Sequence, residues 1–275
     1  PEDIDAERGV VAEEYRTTLG AQWRMIIKYL PEMMYGSKYA ERLPIGTKES
    51  IETFSYESLR RFYKDWYRPD LMALIVVGDI ELGKMKELVT KYFEDVPKPS
   101  NPRERVVYSL PNHSDTKISS VSDEEAFVNT VQIMYKDLED TTPMTTVGDY
   151  KSYLIDRLFS SMINARLDEL ATSSKPPFLN AYSSYGDGFA RTKKMYSSNA
   201  TSTNKESLPT TIKAILTEKK RVSEHGFLQS ELDRAKQNIL TSLENQVKEK
   251  GKQNSGRLVS QYIRHFLQSE PIPGI

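Results

Sequence analysis

Residues 62–80 read FYKDWYRPDLMALIVVGDI, and this stretch decides the fold class. Its first half has the spacing of an amphipathic helix and runs into Pro69, whose ring disfavours helical backbone at the residue before it. Leu71–Val77 follows as an unbroken apolar run. It is strand-sized, and far short of the roughly 20 residues that a membrane helix needs. Gly78-Asp79 then supplies a turn. Helix, buried strand and turn in close succession point to a mixed α and β architecture.

Upstream, Ser55 is placed to cap a helix that carries Tyr56, Leu59, Phe62, Tyr63 and Trp66 on one side. From Asp3 to about Tyr29 the pattern is again helical, with Ile4, Val10, Val11, Leu19, Trp23, Ile26 and Ile27 as its apolar stripe. Pro31 and Gly36 are read as its end, and Ser37–Gly46 as a loop. Downstream, Glu81–Phe93 reads as an amphipathic helix, and the proline-rich Val96–Asn112 as a linker. Strands are expected at about Lys117–Val121 and Phe127–Tyr135. A helix should run from Tyr150 to Ala171, with Leu154, Leu158, Met162, Ile163 and Leu167 as its core stripe. Pro176-Pro177 stops the chain before two alternating segments, Phe178–Tyr185 and Gly188–Thr201, which read as a strand pair. Three helices complete the pattern, Lys205–Glu224, Ser230–Lys250 and Ser255–Gln268. The order predicts an α+β fold in which helices pack on an antiparallel sheet.

Composition narrows the function classes. A net charge of −1 provides no basic field for nucleic acid or anionic membrane. With no cysteine, thiol catalysis and Cys-ligated zinc are excluded, though no compartment is fixed. There is no G-x-S-x-G elbow, no P-loop and no G-x-G-x-x-G after a strand. His113, His225 and His265 are scattered and read as structural or surface residues, and Lys219-Lys220-Arg221 as a solvated helix face. The chain begins at Pro1 and closes on the turn-like SEPIPGI, so it is expected to be a piece of a longer polypeptide.

Near the start, DIDAERGVVAEEYR places Glu7 and Glu14 two helical turns apart on one face, about 10.5 Å along the axis. That separation is poor for two direct ligands of one ion. One carboxylate could be a ligand while the other supports a neighbouring ligand. A plain alternative is that acidic residues gather near a helix N-terminus because the dipole favours them there. The spacing leaves both open.

ERGVVAEEYR, then residues 44–97 with FYKDWYRPDLMALIVVGDI at their centre, closely resemble the pitrilysin/insulinase (M16) zinc metallopeptidases. INARLDEL (163–170) and GFLQSELDRAKQNIL (226–240) extend the likeness, and PPFLNAYSSYGDGF (176–189) is most similar to the long bacterial periplasmic members. The resemblance implies that Glu7 and Glu14 are the family's E-x6-E pair. Glu14 would be the distal zinc ligand, and Glu7 a carboxylate supporting a ligand histidine. The family's H-x-x-E-H segment, which holds two histidine ligands and the general base, is absent from this chain. It would lie before Pro1, so the chain alone should be inactive and hold Zn2+ only weakly.

The resemblance also implies a division into residues 1–45, the tail of a metal-bearing unit, and residues 46–275, a second unit that holds structure and substrate. The implied partners are a peptide or unfolded polypeptide, the missing H-x-x-E-H segment, and a further C-terminal M16 half. The implied location is the bacterial periplasm or cell envelope. Leu179, Asn180, Ala181, Tyr182 and Ser183 match a peptide-anchoring edge strand of some relatives, and equally suit an ordinary hairpin strand. The expected function is that of a fragment of a zinc-dependent endopeptidase; the alternative is a non-catalytic M16-like subunit that binds peptides or serves structure.

Overall fold

The computed structural model describes residues 1–272 other than 19, 42, 140 and 253. The chain forms two compact units, Pro1–Ser109 with the segment from Lys252 onward, and Leu110–Gly251. The linker read at Val96–Asn112 contains the division between them.

Unit two is built on a three-stranded sheet. Strands β1 (Asn129–Lys136), β2 (Asn180–Asp187) and β3 (Lys194–Ser202) lie in the order β1-β3-β2, and both pairs are antiparallel. Helix α6 (Val147–Ala171) packs on this sheet, and α7 (Leu208–His225) and α8 (Gln229–Lys248) complete the unit. Alternation along the strands sends Val131, Ala181 and Ala200 inward, where they meet Ile163 and Leu167 of α6, Ile215 of α7 and the fully buried Phe178. Burying each large apolar side chain stabilises the unit by roughly 2 kcal/mol. The α6 stripe read from spacing is the packed one: Met162, Ile163 and Leu167 are buried, and Leu154 and Leu158 half-buried.

Local chemistry fixes where α6 begins. Thr146 accepts the Asp149 N–H on its hydroxyl, and the Asp149 carboxylate accepts the Thr146 N–H in return. This reciprocal box satisfies two donors that a helix start otherwise leaves bare.

Unit one is helical among the described residues: α1 (Glu2–Thr18), α2 (Ala21–Met33), α3 (Lys48–Thr53), α4 (Tyr56–Trp66), α5 (Leu82–Phe93) and α9 (Ser255–Gln268). The single helix expected over residues 3–29 is two helices, separated at Gly20, the N-cap of α2. Pro31 lies inside α2 and does not end it. It sits in the last turns, where one lost hydrogen bond is tolerated and the Met34 N–H still reaches Leu30 O at 2.8 Å. Val10 and Ile27, placed on the apolar stripe, are exposed, and Leu19 lies outside the described residues. Helix α3 was not anticipated. It is only six residues long, nucleated by a Thr47/Ser50 capping box.

Two expected strands are corrected. Leu71 closes a short 3-10 turn at Pro69–Leu71, Met72–Val77 and Lys117–Val121 have no regular secondary structure, and neither segment joins a ladder among the described residues. Met72, Leu74 and Val76 are exposed in the first and Ile118 in the second. A run of apolar residues specifies that a segment wants burial; it does not supply the neighbouring strand whose hydrogen bonds make a sheet.

Candidate functional site

Helix α1 is fixed on one face and open on another. Arg8 donates from its guanidinium to Ile51 O at 2.6 Å and Phe54 O at 3.0 Å, and lies 4.0 Å over the Phe54 ring. It thereby caps the bare carbonyls at the end of α3. The Tyr56 hydroxyl donates to Asp5, and this contact raises the tyrosine's pKa. Ile4, Arg8, Val11, Ala12 and Tyr15 are the half-buried residues of α1.

Glu7 and Glu14 are exposed. At about 100° per residue they lie roughly 20° apart around the axis and about 100–120° from Arg8. The nearby cation Arg16 is taken by Glu13, to which it donates two hydrogen bonds. That pair lowers the Glu13 pKa and leaves Glu14 without an ionic partner among the described residues. Nor do three His, Cys, Asp or Glu side chains converge to hold a metal among those residues. A lone carboxylate such as Glu14 does not by itself make a zinc site, which takes three or four protein ligands.

The second candidate is the edge of the sheet. β2 is an outer strand, so one side of its backbone has no strand partner among the described residues. Leu179 donates its N–H to Thr201 O at 2.8 Å, and Gly188 donates to Lys193 O at 3.1 Å. Continuing the register inward from Gly188, the even-numbered residues of β2 bond β3, and Ala181, Ser183 and Tyr185 turn their backbone groups outward. Leu179 and Tyr182 are exposed, whereas Ala181 and Ser183 are buried. Of the five residues expected from the resemblance, Asn180–Ser183 open this outer strand and Leu179 immediately precedes it.

Sequence reasoning missed two groups on α6, of which the first lies beside that edge. Asn164 of α6 hydrogen-bonds both the N–H and the C=O of Ser183, each at 2.8 Å. Arg166, also on α6, is buried and donates to Glu231 at 2.6 and 2.8 Å, to Glu218 at 3.0 Å and to Gly226 O at 3.1 Å, over the Phe227 ring. The available signal was a charge set between Ile163 and Leu167 on an otherwise apolar stripe. A cation there requires buried carboxylates to face it.

Comparison with known proteins follows the same lines. Residues 53–239 match the family model described as the peptidase M16 inactive domain. The chain is 32% identical, over its full length, to a zinc protease PQQL-like protein of Arabidopsis thaliana, and covers 25% of that protein. It is 28% identical to the probable zinc protease PqqL of Escherichia coli, across 98% of this chain and 28% of that one. The chain therefore spans about a quarter of the length of these relatives. Among solved structures, the first half of the periplasmic protease PqqL of E. coli superposes with a TM-score of 0.83 at 24% identity. That match covers 98% of this chain and 57% of the other. No helix among the described residues is long and apolar enough to cross a membrane.

Proposed function

The chain belongs to the peptidase M16 family, and from that premise we propose that it is part of a zinc-dependent endopeptidase, contributing the distal metal ligand and a peptide-holding unit without hydrolytic activity of its own. The observation that carries this reading is the division of labour on α1. Arg8 and Asp5 hold the helix by one face, while Glu7 and Glu14 stand exposed on another, with no ionic partner among the described residues.

In this reading Glu14 holds zinc together with two histidines of a preceding H-x-x-E-H segment, and Glu7 orients one of those histidines. Bound zinc supplies a water whose pKa is lowered to about 7. What this chain's own residues do is position a carboxylate and hold substrate. The edge at Leu179–Ser183 would take an extended peptide as an added strand, through backbone bonds that impose little sequence preference. Residues 1–45 would descend from the metal-bearing unit and 46–275 from the second unit. That boundary is one of descent and not of packing, since Arg8 crosses it to Ile51 and Phe54. A further M16 half would complete the peptidase, because the relatives are about four times longer. A periplasmic or envelope location is supported by the description of the E. coli relative.

The match of residues 53–239 to the inactive domain favours a second reading of the whole, a subunit that binds peptide without cleaving it. A quenched fluorescent unfolded peptide separates the two. The full polypeptide containing this chain should cleave it, stop on chelation and recover with zinc, while the 275-residue chain alone should not cleave. Binding without cleavage by the full polypeptide would replace the first reading with the second.

A further inference from the structure

Asn164 sits on α6 where that helix packs against β2. Its carboxamide makes three hydrogen bonds of 2.8 Å: Oδ1 accepts the Ser183 N–H, and Nδ2 donates to Ser183 O and to Ser160 O one turn back. The network fixes the orientation of the amide. Flipped, it would set an oxygen against two carbonyls and a donor against an N–H. Ser183 is itself 1% exposed, and its hydroxyl is bonded to Ser198 at 2.7 Å.

A carboxamide is the same chemical group as a peptide bond. Donor and acceptor together on the N–H and C=O of one residue reproduce what a neighbouring antiparallel strand offers at a closely spaced pair. We infer that Asn164 is a plug in the β2 edge, occupying the place of one residue of an added strand and dividing the edge at Ser183. The outward groups of Ala181 and Tyr185 are left on either side of it. An extended peptide must displace the carboxamide to pair continuously, so the plug sets the affinity of the edge. It also guards the edge against pairing with other chains. The inference rests on the proposed peptide-holding role of β2 and adds the residue that regulates it.

The test compares the 275-residue chain with Asn164→Ala and Asn164→Leu. The leucine keeps nearly the size and shape of the side chain with no hydrogen-bonding atom, so it can neither accept the Ser183 N–H nor donate to its carbonyl, and it serves where alanine impairs folding. Hydrogen exchange without peptide should show the Ser183 amide exchanging at least tenfold faster in both variants. A labelled, proline-free unstructured peptide should then bind the variants at least tenfold more tightly than the wild type, restoring protection at Ser183. Unchanged Ser183 exchange would overturn the plug itself. Faster exchange with unchanged or weaker peptide affinity would overturn its control of the edge. Absence of peptide binding to all three proteins would remove the peptide-holding reading and this inference with it, while the exchange arm still reports separately on the plug's geometry.

Discussion

Arg166 shows how much one residue can hold. Its guanidinium ties α6 to Glu218 of α7, to Glu231 of α8 and to the carbonyl of the turn between them. Removing one partner of a buried pair leaves the other charged and unmatched, so Arg166→Ala should destabilise the chain by about 3–5 kcal/mol, read from urea unfolding. The same contacts set an acid limit. Hydrogen bonds from Arg166 hold the Glu231 carboxyl down at about 2, against an ordinary 4.5, with the Leu228 N–H contributing. A depressed carboxyl pKa stabilises the fold fully above the unfolded value and loses that contribution as pH falls through the folded one. Unfolding free energy should therefore decline between about pH 4.5 and 2, and Glu231→Gln should flatten that slope. An unchanged acid slope in the variant would assign it to other groups.

At the scale of elements, the joint between α7 and α8 depends on Gly226, with φ 66° and ψ −151°, a region open essentially to glycine alone. Gly226→Ala should cost on the order of 1–3 kcal/mol and shift the carbonyl that Arg166 uses, seen as a lowered Tm. Where an element's signals are local, the sequence reading matches the structure closely. α9 occupies the expected Ser255–Gln268, and α6 ends at the expected Ala171 and begins at Val147, three residues before the expected Tyr150. β2 and β3 differ from their expected limits by a few residues at most, apart from the start of β3. Leu71–Val77 and Lys117–Val121 fail as strands because pairing belongs to a neighbour as much as to the segment itself. The candidate site divides in the same way. The spacing of Glu7 and Glu14 is visible in one dimension, and their shared exposed face follows from it. Asn164 and Ser183 are linked only by the packing of α6 on β2, which local pattern does not express.

For the whole molecule, the proposed reading gives this chain one ligand of a zinc site and one strand edge for a peptide. Titrated alone, it should bind zinc weakly, since a single carboxylate gains little from the ion; tight one-to-one binding would mean that the site is misplaced. The central claim is the unequal role of two glutamates two helical turns apart, and it is tested most directly by zinc content in the full polypeptide, measured by metal analysis of purified Glu14→Gln and Glu7→Gln. Glu14→Gln should lose its zinc, while Glu7→Gln should retain most of it and lose activity instead. Equal zinc loss from both, or full retention by Glu14→Gln, would contradict the assignment of Glu14 as the ligand and Glu7 as its support.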